Sequence, residues 1–454
     1  MLNNMVQVNA VTASDSLQQD CDDEQFDREQ FDREQFDRGR DRENYDYDVT
    51  IVGGGIVGSL AACALSGLGL KIALIEASQQ SLAVARGQAY SLNLLSSQIF
   101  DQLGLWQRIR PQIETYTQVY LSDGHYPRVV HFSPQDIQAE TLGYVAEHRI
   151  LLTELQTQLR QCADVTWLCP AKVLQIDFQP HAAILTIEQS GIVTTVRSRL
   201  AIGADGARSP IRQQVGIKTY GWQYWQSCVV AFIKPEKSHS NIAYERFQTD
   251  GPFAILPLPD NLCRIVWTVP HSEAERILKL DRSSFLQELT QRYGSQMGKL
   301  DLVGEPYVFP VRLLHSTQYV QPRLALIGDA AHCCHPVGGQ GMNLGIRDAA
   351  ALVEVIRTAH SRGEDFANLK VLKRYERWRM VENVIVLAFT DLLDRLFSNR
   401  ILPIVGLRRM GLWILGNIQP IKTQVLRLML GLTGRSPQLV AVNPPRIAVH
   451  GLQR

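Results

Sequence analysis

Gly53, Gly55 and Gly58 stand in the spacing G-x-G-x-x-G, and glycine at each of those places has its own chemical use. The first permits a tight turn, the second lets backbone approach a bound pyrophosphate, and the third lets a helix pack against a strand. The N–H groups that open the helix then face the phosphates, where the helix dipole favours negative charge. Glu76 follows eighteen residues after Gly58, where an acid can accept hydrogen bonds from an adenosine ribose. Alone, the glycine pattern is a weak signal. Its setting strengthens it: 47–52 reads as a buried strand, the next segment as a helix ending near Gly67, and 71–76 as a second strand. That is β-turn-α-β, the opening of a nucleotide-binding domain. The chemistry is dinucleotide binding, with flavin and nicotinamide both still open.

Two later segments decide between them. Apolar residues 200–202 lead into Gly203-Ala204-Asp205-Gly206-Ala207-Arg208-Ser209. Gly328-Asp329-Ala330-Ala331-His332 runs into His335-Pro336-Val337-Gly338-Gly339-Gln340-Gly341-Met342-Asn343-Leu344-Gly345. At this point the chain resembles the group A flavoprotein monooxygenases, whose second and third FAD fingerprints these segments match in order. Ala243-Tyr244-Glu245-Arg246-Phe247, Gly251-Pro252-Phe253-Ala254-Ile255-Leu256-Pro257-Leu258-Pro259 and Gly345-Ile346-Arg347-Asp348-Ala349-Ala350 look like the ubiquinone-biosynthesis hydroxylases (the UbiH/UbiF/VisC group). The similarity covers about 47–400. Gly338 stands where that group usually has Ala and Met342 where it usually has Leu, and neither change removes a polar contact.

The resemblance implies an α/β fold: a Rossmann-like FAD-binding domain of the p-hydroxybenzoate-hydroxylase type, an inserted, mainly antiparallel substrate sheet, and a helical C-terminus. It implies FAD as cofactor, NAD(P)H as a transient co-substrate and O2 as oxygen donor. The product is a hydroxylated phenolic ring, on a prenylated quinone precursor. It gives Asp329 a hydrogen bond to the flavin's ribityl chain and sets the Gly341, Met342 and Asn343 amides beside the isoalloxazine ring. A physical reason stands beside the second assignment, since those amides open a helix whose dipole stabilises negative charge on the reduced flavin. Asp205, Gly206 and Arg208 would lie between the flavin pyrophosphate and the nicotinamide groove, and Pro336 would wall the cavity above the ring. Arg86 and His148 match positions near the FAD phosphates, or else are ordinary surface residues; relatives more often carry Asn or Arg in place of His148.

His332-Cys333-Cys334-His335 crowds two metal-ligand types together. A structural zinc site needs spaced pairs from two segments, and the fingerprint accounts for the histidines, so no metal is expected. No Ser-His-Asp or paired-carboxylate constellation is needed: the cofactor supplies the hard chemistry and the protein supplies position and electrostatics. No residue that would deprotonate the substrate stands out. There is no second strand-preceded G-x-G-x-x-G, which fits a co-substrate that visits without a domain of its own.

These motifs need elements to hold them. Runs 228–233, 242–247, 253–258 and 263–269 read as strands of a separate sheet. Then 324–328 returns to a buried parallel-type strand, a helix follows from about 341 to 360, and the chain reads as helical to about 432. The expected organisation is a tail over 1–44, a discontinuous FAD domain over 45–216 and 310–364, a substrate domain over 217–309 and a helical, basic region over 365–454.

Composition agrees with a globular protein: 45% hydrophobic, 20% charged, net charge +1. Fourteen acids face five arginines between Asp15 and Asp48, so a mildly basic body carries an acidic tail, and no nucleic-acid patch is expected. Three copies of Glu-Gln-Phe-Asp-Arg fill 24–38. Their period of five builds no helical face, and disorder or a partner-binding peptide is the reading. Scattered cysteines without a CxxC pair suggest reduced thiols in a cytoplasmic setting. No secretory signal or run of about eighteen apolar residues is seen.

Between Arg395 and Arg435 lie seven Lys/Arg and no acid, interleaved with apolar clusters and Trp413. Such a segment lies on the inner face of a membrane, or it packs on the body or on a second subunit of a homodimer. Two rivals remain for the whole chain: a flavin-dependent reductase or epoxidase of an isoprenoid, and a non-catalytic FAD-binding protein.

Overall fold

Strand β1 (Tyr47–Val52) is buried through its second half, as expected for a central parallel strand covered on both faces. The structure is a computed structural model that describes residues 45–439 apart from 85, 86, 125 and 295. The chain divides into two units between Asp46 and Tyr47, and every element below belongs to the second. The reading of the 1–44 tail, and that of Arg86, fall outside the described residues.

The first sheet carries five parallel strands at its centre. β8 (Val165–Leu168), β2 (Ile72–Ile75), β1, β11 (Ile192–Gly203) and β18 (Leu324–Leu326) lie side by side in that order. β17 (Val320–Gln321) closes one edge, and β9 (Lys172–Phe178) and β10 (Ala183–Gln189) extend β11 as an antiparallel meander. Helix α1 (Ile56–Leu65) leaves β1, and helices α2 (Leu94–Gln102), α3 (His148–Leu159) and α6 (Gln340–Ser361) add to the layers around the sheet. A small sheet of β3 (Ala89–Leu92), β7 (Gly143–Glu147) and β4 (Glu114–Tyr116) bridges toward the second sheet.

The second sheet runs β19 (His332–Cys333), β16 (Leu300–Ser316), β12 (Thr219–Pro235), β15 (Leu262–Pro270), β14 (Phe253–Leu258), β13 (Ile242–Phe247), β5 (Gln118–Asp123) and β6 (Val129–Phe132). Its two faces follow strand alternation. Cys263, Ile265 and Trp267 pack under α4 (His271–Leu278) and α5 (Arg282–Tyr293) through Ala274, Ile277, Phe285 and Leu289. Each large apolar side chain fully buried there stabilises the fold by about 1.5–3 kcal/mol. Arg264, Val266 and Thr268 point the other way, into a cavity.

The four runs expected between 228 and 269 are all strands, but the sheet draws on more of the chain than 217–309. β5 and β6 come from the 45–216 stretch, and β5 joins by parallel pairing with β13, Leu121 opposite Glu245. The apolar edge of β13 needs a partner, and β5 supplies one that local sequence does not announce.

Three helices complete the body: α7 (Leu369–Phe397), α8 (Leu402–Asn417) and α9 (Gln419–Met429). Of the two readings of the basic segment, packing on the body holds for Arg408, which is buried and pairs with Asp123 of β5 at 2.8 Å, while also donating to the carbonyls of Phe397 and Asn399. Its helix position faces the sheet, and a guanidinium facing a carboxylate and two carbonyls is satisfied there.

Candidate active site

The three fingerprints sit side by side because the strands before them are neighbours. Gly53 N–H donates to Ile75 O at 2.8 Å, Ala204 N–H to Val52 O at 2.8 Å, and Ile327 N–H to Gly203 O at 3.0 Å. All three turns therefore lie at the carboxyl ends of parallel strands, where α/β sheets bind their ligands.

The glycines divide their work sterically. Gly53 has φ +109°, and a Cβ on it would come 2.3 Å from Ala204 O. A Cβ on Gly58 would fall 1.9 Å from Gly53 O, whereas one on Gly55 would meet nothing within 4 Å. So Gly53 and Gly58 permit close packing, and Gly55 leaves open space at the start of α1. Glu76 pins the turn: its carboxylate accepts from Gly54 N–H at 2.8 Å and Ser78 N–H at 2.7 Å.

Asp205 accepts from Ile211 N–H through Oδ2 at 3.1 Å, and its buried Oδ1 has no partner. Burial pushes its carboxyl up, against the pull of Ser209 and the Ile211 amide. Gly206 turns with φ +82° beside it. Arg208 is exposed and lines both the main cavity and a neighbouring groove with Trp222 and Arg312.

Asp329 is crowded by protein on one side and open to the cavity on the other, with no hydrogen bond to its carboxylate among the described residues. Burial pushes its carboxyl up, partly offset by His332 and Arg312. Beneath it, Asp348 fixes the turn. Asp348 Oδ2 accepts from Gly328 N–H at 3.1 Å and lies 2.5 Å from His332 Nε2. Its Oδ1 accepts from Arg379 Nε at 2.8 Å and Asn383 Nδ2 at 3.0 Å. Burial alone would push the Asp348 carboxyl up; His332 and Arg379 overcome that and hold it well below the usual carboxylate range.

Helix α6 begins behind two successive left-handed glycines, Gly338 (φ +66°) and Gly339 (φ +63°), with no side chain capping its N–H groups. Gly341 and Met342 lie in its first turn and line the cavity, as does Pro336 before it. The Asn343 side chain is a clamp. It accepts from Asn93 N–H and Ser96 Oγ, and donates to Ser91 O and Gly339 O, at 2.7–2.9 Å. His148 does not reach the cavity: it is buried at the start of α3, with Nδ1 3.1 Å from the Tyr90 hydroxyl, and Tyr90 is the residue that lines the wall.

The cavity measures about 620 Å³. One wall is the fingerprint segment from Asp329 to Asn343, and the opposite wall is the second sheet. Phe389, Leu393, Leu415, Leu426, Met429 and Leu430 from α7–α9 and the turn after them make the remainder apolar. Three charged lining residues were given no role by the sequence: Glu245, Arg264 and Arg312. Strand alternation carried a signal for Glu245, since it shares a face with Ala243 and Phe247, both buried.

This donor set fits FAD. Two uncapped helix N-termini offer N–H groups to a pyrophosphate and to an anionic ring edge. The space at Gly55 admits close approach, and the Asp329 carboxylate, open to the cavity, is placed to accept from a hydroxyl donor. By contrast, no group of three or more His, Cys, Asp and Glu is placed to hold a metal among the described residues. His332 is committed to Asp348, and His335 lies 3.6 Å from Asp394.

Residues 46–384 match the model of the FAD binding domain family, and the chain belongs to that family. Within it the chain is an FAD-dependent monooxygenase with NAD(P)H as co-substrate, of the group that includes the ubiquinone-biosynthesis hydroxylases. It is 36% identical to ubiquinone hydroxylase UbiL of Rhodospirillum rubrum, covering 88% of this chain and 92% of that one. It is 33% identical to 3-demethoxyubiquinol 3-hydroxylase of Escherichia coli, covering 86% of this chain and 100% of that one. Among solved structures, p-nitrophenol 4-monooxygenase of Pseudomonas putida superposes with a TM-score of 0.71 at 19% identity, covering 86% of this chain and 98% of that one. That likeness concerns the fold.

Proposed function

We propose that the protein hydroxylates the phenolic ring of a prenylated quinone precursor while resting on a membrane surface. The observation that carries this is the apolar end of the cavity. A ring placed against the start of α6 has the aliphatic side chains of α7–α9 beyond it, a lining suited to a hydrocarbon tail. The relatives named for ubiquinone hydroxylation support the same substrate class.

When bound, FAD supplies the oxygen-transferring chemistry with electrons from NAD(P)H. The protein's part is placement. Gly53, Gly55 and Gly58 with the α1 N-terminus would hold the pyrophosphate, and Glu76 and Asp329 would hold ribose and ribityl hydroxyls. Asp205 and Gly206 would border the pyrophosphate, and the Gly341–Asn343 amides would face the reduced ring's negative edge. The apolar lining would limit water at the reacting centre.

For the membrane, Leu402, Leu407, Met410 and Trp413 are exposed along the outward face of α8, while Leu415 of the same helix lines the cavity. An interface-seated α8 would let a lipophilic substrate enter from the bilayer. No helix of the described residues is long and apolar enough to cross a membrane.

The deciding assay is NAD(P)H oxidation stimulated by prenylated phenols of increasing tail length, with product analysis. Hydroxylated product that grows with tail length is expected. Oxidation that needs no O2 would instead point to a reductase, and no stimulation by any phenol would end the reading.

A further inference from the structure

Ring hydroxylation runs fastest when the phenol has lost its proton, because the oxygen lone pair then enriches the ring carbons. Something in the cavity must take that proton. On the sheet wall the register places Val130, Leu121, Glu245, Ala254, Val266, Val230 and Tyr307 on one transverse row. Glu245 thus stands among aliphatic neighbours, on the wall opposite Asp329, and lines the cavity. It makes no hydrogen bond or ion pair with any described residue. An acid so placed costs stability unless a ligand uses it. On the same face, Phe132, Val119 and Ala243 pair in line across β6, β5 and β13, and Leu256 pairs with Arg264 across β14 and β15. Arg264 is buried there, its Nε has no partner, and it does not pair with Glu245.

We propose that Glu245 is the catalytic base that takes the phenolic proton of the substrate, with Arg264 stabilising the phenolate that forms. The assignment rests on the hydroxylase reading above. The proton passes from the phenol oxygen to a carboxylate oxygen of Glu245, and the O–H bonding pair stays on the phenol oxygen. That pair feeds the ring, whose neighbouring carbon bonds one atom of O2; the other atom leaves as water, reduced by the hydride of NAD(P)H and a proton. The ring carbon then loses its hydrogen as a proton, and Glu245 returns its own to the product oxygen.

Basicity matches the task. Burial pushes the Glu245 carboxyl up to about 8, about 2 units below a phenol at roughly 10, where an ordinary carboxylate at about 4.3 would lie some 6 below. The closer match makes the transfer far less uphill. Other charged or titratable groups lining the same cavity are Arg264 beside it, Tyr244 next to it on β13, Arg312 and Cys333 on the same sheet, Asp329 and Cys334 on the fingerprint segment, Arg208 after β11, and Tyr90 and Tyr116 on the small sheet.

The test compares full-length, FAD-loaded wild type, E245Q and E245D with a short-chain 2-prenylphenol. The wild-type hydroxylation rate should rise with pH through an ionisation near 8, because the base works only when deprotonated. In E245Q that rise should vanish and kcat for product should fall about a hundredfold or more. KM should change little, and NAD(P)H should be consumed without matching product. E245D should recover part of the rate. A nitro-substituted analogue, already ionised at assay pH, should restore coupled turnover to E245Q. Its melting temperature should hold or rise, since an unpartnered acid facing apolar neighbours has gone. E245Q with wild-type coupling and pH profile overturns the assignment, as does a lowered melting temperature with coupling intact. Wild type that hydroxylates no phenol overturns the hydroxylase reading and the role of Glu245 together.

Discussion

Arg408 and Asp123 are joined by a 2.8 Å ion pair in which both side chains are almost wholly buried, across a separation of 285 residues. The pair fastens α8 to β5, the strand between β13 and the edge strand β6 of the second sheet. Removing one partner of a buried pair leaves the other charge stranded, at a cost of about 3–5 kcal/mol. Arg408→Glu should therefore lower the melting temperature sharply and empty the cavity of a bound hydrophobic dye. An unchanged melting curve would show that α8 is not held this way.

The proposed membrane contact then rests on the outward face of α8 rather than on Arg408. Leu407, Met410 and Trp413 are each about half exposed, at 52%, 52% and 49%. Replacing all three by Ser should weaken cosedimentation with anionic liposomes while leaving FAD content and melting temperature unchanged. Equal sedimentation of the variant and wild type would remove α8 from the membrane reading.

Asp329→Ala should weaken FAD binding roughly ten- to a hundredfold, the loss of one charge-assisted hydrogen bond of about 1.5–3 kcal/mol. Its carboxylate has no protein partner to lose, so the apoprotein should melt no lower than wild type. Flavin released on titration with apoprotein, followed by fluorescence, measures the first effect, and full affinity in the variant would withdraw the ribityl contact.

Acid should destabilise the fold through His335. This side chain is wholly buried, and burial pushes it down from 6.5 to about 4, against a smaller upward pull from Asp391. Between those values the unfolded chain takes a proton that the folded chain refuses, so stability is full above about 6.5 and falls as pH drops toward 4. The slope reaches at most about 1.4 kcal/mol per pH unit for one proton. His335→Asn should flatten the melting temperature across that window, and an identical slope would assign it to other groups.

Much of this was legible from residue order. Three fingerprints at the ends of apolar runs announced adjacent parallel strands, because only neighbours in one sheet bring Gly53, Asp205 and Asp329 together. The alternation in 228–269 announced the second sheet. What stayed hidden depends on partners distant in sequence. Nothing local to Gln118–Asp123 says that it will pair with β13, and Arg408 reads as a surface cation until Asp123 is placed opposite it. His148 likewise meets Tyr90, 58 residues away, through a 3.1 Å side-chain contact that local sequence does not announce. Glu245 was only half legible: alternation puts it on a face with Ala243 and Phe247, but that this face lines a cavity follows from the docking of the second sheet on α6–α9.

The parallel pairing of β5 with β13 also sets a timetable for biosynthesis. β5 and β6 leave the ribosome well before β13–β16 exist, and helices α8 and α9, which finish the cavity wall, emerge last. Val119, Leu121 and Phe132 must therefore wait, uncovered, while much of the chain is translated, and an uncovered apolar strand is prone to wrong partners. Closing so long a loop is also slow. The nascent chain should thus depend on holding chaperones between synthesis of β6 and release of the C-terminus, and fragments ending before α8 should aggregate when expressed alone.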